Sequence, residues 1–307
     1  MKKQKVQHHS KIPLVVILGP TSSGKSDLAI KLAKKFNGEI VSADSRQVYR
    51  GLDIGSGKVT KKEQKMVPHH LLDIAKPGAQ CSIAKYKKLA DRAILDIVKR
   101  GKVPFLVGGS PLYTKAVVED YGIPEVKPDL KLRKELEAQS LPNLLKLLKK
   151  FDPASYERVD RKNPRRVIRA LEIIFHTGVP IPEIKKESRY DALLLGIDVP
   201  REKLYEQIDD RVYSRVKQGM IREVEKLIES GVPKKWLKSL GLEYRFITEY
   251  LEGPKTKREK EAMLQLLKFA IHDFARRQLV WYRKMPAIKW GTSIKQAEGN
   301  IGKFLKR

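Results

Sequence analysis

The stretch of sequence that decides the fold is LVVILGPTSSGKS, residues 14–26. Its first five residues, Leu14–Leu18, form a strand-like apolar run, and apolar residues then recur every four positions from Leu28 to Phe36, as on one face of a helix. Between them, Gly19–Ser26 has the spacing of a loop that cradles phosphate between a buried strand and a helix. The chain therefore opens as an α/β protein with a phosphate site after its first strand.

The chemistry of such a loop follows from its residue types. Consecutive backbone amides and a helix amino terminus make a positively charged nest, Lys25 adds a cation, and the Ser26 hydroxyl can hold Mg²⁺. A plain glycine-rich turn is the alternative, but the flanking strand and helix disfavour it. A nucleotide triphosphate and the pyrophosphate of another substrate would be cradled alike. The predicted diphosphate-binding residues are Gly19, Pro20, Thr21, Ser22, Ser23, Gly24, Lys25 and Ser26, with Ser26 as the metal ligand.

The remaining pattern predicts a P-loop NTPase-like α/β core with a parallel sheet, interrupted by a helical insertion. Glycine and proline residues mark the change of texture after Tyr121, and strand-like character returns at Leu193. The predicted organisation is a basic arm over residues 1–11, a core over 12–120 and 191–307, and a helical insertion subdomain over 121–190. The helical carboxyl-terminal part is predicted to contain three long helices, at about 201–230, 235–251 and 257–284.

The composition restricts the partners. The chain of 307 residues has 64 Lys and Arg against 36 Asp and Glu, a net charge of +28, which favours nucleic acid as a partner. No apolar run is long enough to cross a bilayer, and the first eleven residues do not read as a secretory signal. The single cysteine, Cys81, excludes an intramolecular disulfide and a Cys-rich zinc site, so a reducing cytoplasm is expected.

A carboxylate is expected beside the loop, because kinases and ATPases of this class add a strand that ends in Asp. The strand-like run 103–107 ends in Gly-Gly-Ser instead, and the run ending in Asp198 lies beyond the insertion. Asp44 directly follows the second strand, at the sheet edge where α/β proteins bind ligands. Asp44 is therefore predicted to be a general base or a metal-linked carboxylate, with a capping or turn role as the alternative.

The chain resembles the tRNA dimethylallyltransferases over nearly its whole length. The strings that carry the resemblance, in the family's order, are GPTSSGKS, SADSRQVY, GLDIGSGK, PHHLLDI, VPFLVGGSPLY, RRVIRALEI and FARRQLVWYR. The resemblance implies transfer of the dimethylallyl group of dimethylallyl diphosphate to N6 of adenosine 37, in the anticodon stem-loop of tRNA. The products would be N6-isopentenyladenosine and diphosphate. It also implies that the loop binds the donor's diphosphate with Mg²⁺, not ATP; a monomer is the default expectation.

The resemblance also assigns roles to residues. Asp44 would take the proton from the adenine amine, while Lys25 and the Ser110 hydroxyl would stabilise the departing diphosphate. The implied tRNA-binding residues are Asp44, Ser45, Arg46, Gln47, Arg133, Arg165, Arg166, Val167, Ile168, Arg169, Arg276, Arg277 and Gln278.

Several positions depart from the family pattern. Pro111 follows Ser110 where relatives have Gly, and Glu243 stands in a segment that usually reads Gly-Tyr-Lys. The family's Thr-Arg pair is Ile271 and His272, so a phosphate contact there is absent or depends on pH. The adjacent His69 and His70 look like a metal pair but are interpreted as packing and hydrogen-bonding residues.

Two other functions share part of this pattern. A small-molecule or nucleotide kinase would share the phosphate loop and the carboxylate after the second strand, and would bind ATP. A non-catalytic RNA-binding protein with a decayed loop would tolerate loss of Asp44. The intact set Gly24, Lys25, Ser26, Asp44 and Ser110 disfavours both.

Overall fold

The computed structural model describes residues 11–120, 126, 129–181, 188–285, 287–291 and 293–306. Apart from Lys11, the expected basic arm lies outside these residues. None of the helices described is both long and apolar enough to cross a membrane.

One parallel sheet organises the larger part of the chain. Its strands are β1 (Ile12–Leu18), β2 (Gly38–Ser42), β3 (His69–His70), β4 (Val103–Gly108), β5 (Tyr190–Gly196) and β6 (Lys289–Trp290). The strand order is β3-β2-β4-β1-β5-β6, and every pairing is parallel. The predicted α/β fold with a parallel sheet is confirmed.

Helices cover the sheet and form the insertion. Their bounds are α1 (Lys25–Lys35), α2 (Lys61–Met66), α3 (Ile83–Lys99), α4 (Pro111–Val118), α5 (Leu130–Glu137), α6 (Leu141–Phe151), α7 (Pro153–Arg158), α8 (Pro164–Thr177), α9 (Arg201–Lys217), α10 (Met220–Glu229), α11 (Lys234–Ser239), α12 (Leu242–Glu252), α13 (Lys257–Tyr282) and α14 (Ile294–Leu305).

The central strand β1 is apolar throughout because both faces of the sheet are covered. Leu14, Val16 and Leu18 pack on the face that carries α3, α9 and α13, whereas Val15 and Ile17 pack against α1 and α14. All five side chains are fully buried. Because β1 is buried on both faces, it is a firm support for the phosphate loop that directly follows it.

The chain divides into two compact units, residues 1–120 with 188–307, and residues 121–187. In the second unit, α5–α8 pack around a separate apolar cluster that includes Leu144, Leu148 and Leu171. The second unit ends at residue 187, before the expected 190. Ser188 and Arg189 already belong to the first unit, where they bond to the Val118 carbonyl and the Asp120 carboxylate at 2.7 and 2.9 Å.

Two of the predicted long helices are wrong. The stretch 201–230 is two helices separated at Gly219, and 235–251 is two helices separated at Gly241. Both glycines have positive φ, 99° and 71°, which only glycine adopts readily and which ends an α-helix. The apolar spacing continues across each break, so periodicity alone could not reveal it. The short strands β3 and β6 were also missed.

Gly108 permits the close approach of β2 and β4 beside the cleft. A Cβ at this position would overlap the backbone of Ala43, including its carbonyl oxygen. Gly108→Ala is therefore expected to destabilise the protein by about 1–3 kcal/mol, the usual cost of forced overpacking. Gly299→Ala is the control, because Gly299 lies in α14 with no atom near its Cβ position and should gain about 0.5–1 kcal/mol. Urea unfolding of both variants measures the difference; equal stabilities would refute the steric argument.

Candidate active site

A large cleft opens at the carboxyl ends of the strands, where parallel sheets bind ligands. It has a volume of about 1490 Å³. Its walls are the phosphate loop after β1, the turn after β2, the loop over residues 49–61, the loop after β4, and the facing sides of α9 and α13. The cleft therefore brings together residues that are distant in the sequence.

The phosphate loop passes from β1 into α1 through Gly24, whose φ of 79° is left-handed. Lys25 begins the helix, and its Nζ donates a hydrogen bond to the Pro20 carbonyl at 3.1 Å, across the mouth of the loop. Ser26 also lines the cleft, in the first helical turn. The structure thus places a lysine, a serine hydroxyl and a helix amino terminus together, the arrangement that binds anions.

Arg211 is a cation of this site that the sequence reasoning missed. It projects from α9, and its Nη1 donates to Thr21 Oγ1 and Ser22 Oγ, both at 3.3 Å. Burial, together with the nearby Arg215, lowers the pKa of Arg211 to about 10. Burial, and next the charge of Arg211, lower the pKa of Lys25 to about 8. Two desolvated cations beside one loop favour a multivalent anion.

Asp44 closes a turn at the edge of the cleft. Its Oδ1 accepts from the backbone N–H groups of Arg46 and Gln47, at 2.9 and 3.3 Å, which is an Asx turn. Asp44 also lines the cleft, and among the residues described no hydrogen bond reaches its Oδ2. The turn thus fixes the carboxylate while one oxygen stays available for chemistry.

Ser110 lies beside this turn. Its Oγ accepts from the Ser45 N–H at 3.1 Å, and its own N–H donates to the Ala43 carbonyl at 3.2 Å. Pro111 occupies the first position of α4, where a proline loses no helical hydrogen bond. This departure from the family pattern is therefore compatible with the local backbone.

Glu243 balances the charge of two arginines in the wall of the cleft. Its Oε2 pairs with Arg46 Nη1 at 2.7 Å, and its Oε1 with Arg215 Nη1 at 3.1 Å. Glu243 is only 5% exposed. Because the network directs the Arg46 side chain into this pair, the departure at Glu243 reduces the positive charge that Arg46 presents to a ligand.

The loop over residues 49–61 is held by two charged side chains. Glu223 of α10 accepts from the backbone N–H groups of Asp53, Ile54 and Gly55 at 2.6–3.1 Å. Lys58 Nζ pairs with Asp53 and Asp73 at 2.6 and 2.5 Å. Sequence reasoning missed Glu223, because a glutamate within a surface helix has no distinguishing pattern. Gln47 adds a bond from Nε2 to the Gly57 carbonyl at 3.1 Å.

Comparison with known proteins matches this architecture to one family. The family model described as IPP transferase matches residues 47–285. The chain belongs to the IPP transferase family. It is 42% identical over 284 residues to the tRNA dimethylallyltransferase of Thermomicrobium roseum, covering 91% of this chain and 85% of that protein. It is 43% identical over 287 residues to tRNA dimethylallyltransferase 1 of Trichlorobacter lovleyi, covering 90% and 92%.

Solved structures agree. The crystal structure of the full-length tRNA isopentenylpyrophosphate transferase from Bacillus halodurans matches with a TM-score of 0.71 and 36% identity, over 96% of this chain and 97% of that one. A eukaryotic dimethylallyltransferase, solved in crystallographic snapshots of its action on tRNA, matches with a TM-score of 0.78 and 27% identity, over 95% and 77%.

Three consecutive residues of α13 are expected to bind tRNA. In this IPP transferase their side chains point in different directions. Arg276 and Arg277 are exposed on the helix surface and pair with Asp273. Gln278 is 4% exposed and faces the opposite way, toward the phosphate loop. The Gln278 side chain also lines the cleft, and its implied contact with tRNA stays a prediction.

His272 does not occupy the cleft wall. Its Nε2 pairs with Asp209 at 2.9 Å, and its ring stacks on Tyr205 with 4.0 Å between centroids. Ile271, the preceding residue, is buried and lines the cleft. The phosphate contact expected of the family's arginine is thus not formed by His272, whereas Arg211 reaches the phosphate loop from α9.

The two histidines of the PHHLLDI string serve the core. His70 Nε2 bonds to the buried Glu39 at 2.7 Å, and His69 Nδ1 to the Val67 carbonyl at 2.8 Å. Within the described ranges, no group of three His, Cys, Asp or Glu side chains could hold a metal ion. These contacts agree with the interpretation of the pair as hydrogen-bonding residues.

The expected tRNA-binding residues of the helical unit differ in exposure. Arg165 and Arg166 are exposed, whereas Val167 and Ile168 are 0% and 5% exposed and belong to the apolar cluster of the unit. Helical periodicity explains the difference, because these two side chains fall on the inner face of α8. The burial of Val167 and Ile168 follows the apolar spacing of α8, and their implied contact with tRNA stays a prediction.

Arg133 and Arg169 converge on one buried carboxylate. Arg133 Nη2 and Arg169 Nη1 approach Glu172 Oε2 at 2.6 and 3.3 Å, and Glu172 is 1% exposed. Both arginine side chains remain about one-third exposed. The helical unit therefore presents two neighbouring arginine forks that share a single counter-charge.

The lowered pKa of Lys25 gives a prediction about diphosphate binding. A bound anion stabilises the charged lysine and raises its pKa, so binding of inorganic pyrophosphate at about pH 8.5 should take up protons at Lys25. Pyrophosphate affinity should fall as pH rises through about 8, where the free lysine loses its charge. Calorimetry in buffers of different ionisation enthalpy measures the uptake. Lys25→Arg stays charged and is the control; equal proton uptake in both proteins would contradict the prediction.

Proposed function

We propose that this chain transfers the dimethylallyl group of dimethylallyl diphosphate to N6 of adenosine 37 beside the tRNA anticodon, releasing diphosphate. The observation that carries the proposal is that one cleft contains both kinds of group. Lys25 and Arg211 lie at the phosphate loop, and Asp44 lies in the turn that follows β2. Membership of the IPP transferase family supports it, because relatives are named tRNA dimethylallyltransferases and one was solved acting on tRNA.

The chemistry divides between the two sides of the cleft. The phosphate loop, Lys25 and Arg211 bind the diphosphate and stabilise the negative charge that develops as it departs. Ser110, hydrogen-bonded to Ser45, adds a hydroxyl on the other side. Asp44 Oδ2 accepts the proton of the adenine amine as that nitrogen attacks the allylic carbon. Each group is held by protein contacts before substrate arrives, so little reorganisation is needed.

Mg²⁺ is part of the proposal. The Ser26 hydroxyl and the oxygens of a bound diphosphate are hard ligands of the kind that Mg²⁺ prefers, and Mg²⁺ keeps several waters, so no cage of carboxylates is required. The donor set fits the ion, with Ser26 as its protein ligand. When bound, Mg²⁺ would neutralise part of the diphosphate charge.

The tRNA would be held through its phosphates. The net charge of +28 and the exposed arginines Arg165, Arg166, Arg276 and Arg277 support this, together with the paired Arg133 and Arg169. An adenine in a stacked loop must leave the stack to react, so the substrate is expected to enter as an extruded base of the anticodon stem-loop. A monomer in the cytoplasm completes the proposal, and the single free cysteine is typical of a reducing compartment.

The experiment incubates unmodified tRNA with the protein and Mg²⁺, with either dimethylallyl diphosphate or ATP as donor. Mass analysis of the nucleosides should show isopentenyladenosine with the allylic donor alone. Phosphate transfer from ATP without that product would favour a kinase instead.

Asp44→Asn tests the proposed base. Asparagine keeps the Oδ1 acceptor for the Arg46 and Gln47 N–H groups, so the turn should persist while the proton acceptor is lost. Turnover should fall roughly 10²- to 10⁴-fold, with tRNA affinity nearly unchanged. Asp191→Asn is the matched control, since Asp191 is exposed at the amino-terminal part of β5. Intact turnover in Asp44→Asn would remove Asp44 from the role of base.

A further inference from the structure

Gln278 joins two loops of the cleft that are far apart in the sequence. Its Oε1 accepts from the Thr21 N–H of the phosphate loop at 2.9 Å, and its Nε2 donates to the Gly109 carbonyl after β4. The side chain is 4% exposed and reaches both loops from near the carboxyl-terminal end of α13. One buried amide is thus fully engaged in holding two cleft walls at a set distance.

The surroundings are shaped for this contact. A Cβ on Gly109 would lie 2.7 Å from Gln278 Nε2, so the side chain can approach only because residue 109 is glycine. One helical turn later, the Tyr282 hydroxyl donates to the Gly108 carbonyl at 3.3 Å. Two side chains of α13 therefore bond to consecutive carbonyls at the end of β4. The two hydrogen bonds offset the cost of burying this polar group, and they hold its neighbours in place.

The contact continues toward Asp44. Ser110, next to Gly109, accepts from the Ser45 N–H at 3.1 Å, and Ser45 belongs to the turn that Asp44 Oδ1 closes. A chain of direct hydrogen bonds and adjacent residues thus runs from Thr21 through Gln278, Gly109 and Ser110 to Ser45. Its two ends are the loop that binds the leaving group and the turn that carries the base.

We propose that Gln278 is a positioning residue, which aligns the phosphate loop with the Gly109–Ser110 loop and thereby with the turn of Asp44. The role needs an acceptor for Thr21 and a donor for Gly109 in one side chain of this length. Leucine supplies neither, glutamate loses the donor, and asparagine is too short to span both. The inference rests on the proposed function and gives Gln278 a different role from the tRNA contact that the family resemblance implied.

The test compares Gln278→Glu and Gln278→Leu with Gln265→Glu, a control at an exposed position of the same helix. Misalignment of reacting groups by about 1 Å can cost roughly 10²-fold. We therefore expect kcat at saturating tRNA to fall by roughly 10- to 10²-fold in both Gln278 variants. The Kd for tRNA should not change.

Gly109→Ala perturbs the same contact from the other side and should reproduce the loss of kcat if Gln278 acts by position. It also keeps the proposal testable if the Gln278 variants fail to fold. A raised tRNA Kd with unchanged kcat in Gln278→Glu would overturn the proposal in favour of a tRNA contact. Unchanged kinetics in Gln278→Leu would overturn it as well.

A second readout does not depend on catalysis. Inorganic pyrophosphate should slow amide hydrogen exchange in peptides that cover 17–30 and, through Gln278, in peptides that cover 104–116. In a Ser110→Ala background, which removes the direct hydroxyl contact with pyrophosphate, Gln278→Leu should keep the first protection and lose the second. If the wild-type protein makes no isopentenyladenosine, the proposed function fails, but the effect of pyrophosphate on the exchange of both peptides can still be measured. If both protections persist in Gln278→Leu in that background, the positioning role alone is overturned.

Discussion

Lys25 and Arg211 are held together in a partly desolvated cleft, and much of the surrounding structure serves to keep them there. Burial lowers the pKa of both side chains; repulsion from Arg211 adds to the effect on Lys25, and repulsion from Arg215 adds to the effect on Arg211. The two cations are tolerated because β1 and α9 are packed on a common core, so neither helix nor strand can move to relieve the repulsion. Such a site favours a multivalent anion, because a bound anion offsets the repulsion between the two cations.

Elsewhere in the molecule, positive charge is balanced by buried or half-buried carboxylates. Glu243 pairs with two arginines in the cleft wall, and Glu172 pairs with two in the helical unit. Glu39 pairs with Arg100 and Lys102 at the amino-terminal end of β2. The hydrogen bond from Arg100 holds the pKa of Glu39 far below its usual range. By contrast with these ion pairs, the positive charge of Lys25 and Arg211 at the phosphate loop is available to a ligand.

Much of this could be read from residues that are close in the chain. The loop Gly19–Ser26, the turn at Asp44 and the inner face of α8 all depend on spacing over fewer than fifteen residues, and spacing is what periodicity and loop patterns report. The helix breaks at Gly219 and Gly241 could not be read in the same way. The apolar pattern continues through them, and a left-handed glycine is indistinguishable in sequence from one that packs closely.

By itself, the sequence determined the parallel α/β fold, the phosphate loop with Lys25, and the carboxylate at Asp44. Only the tertiary structure decided which side chains complete the cleft: Arg211 against Thr21, Glu223 against the loop at 53–55, and Gln278 between two loops. The physical reason is that these contacts join residues more than 160 positions apart. Helical periodicity predicts which face of α9 or α13 is buried, but the loop that lies opposite that face is set by how the helix packs on the sheet.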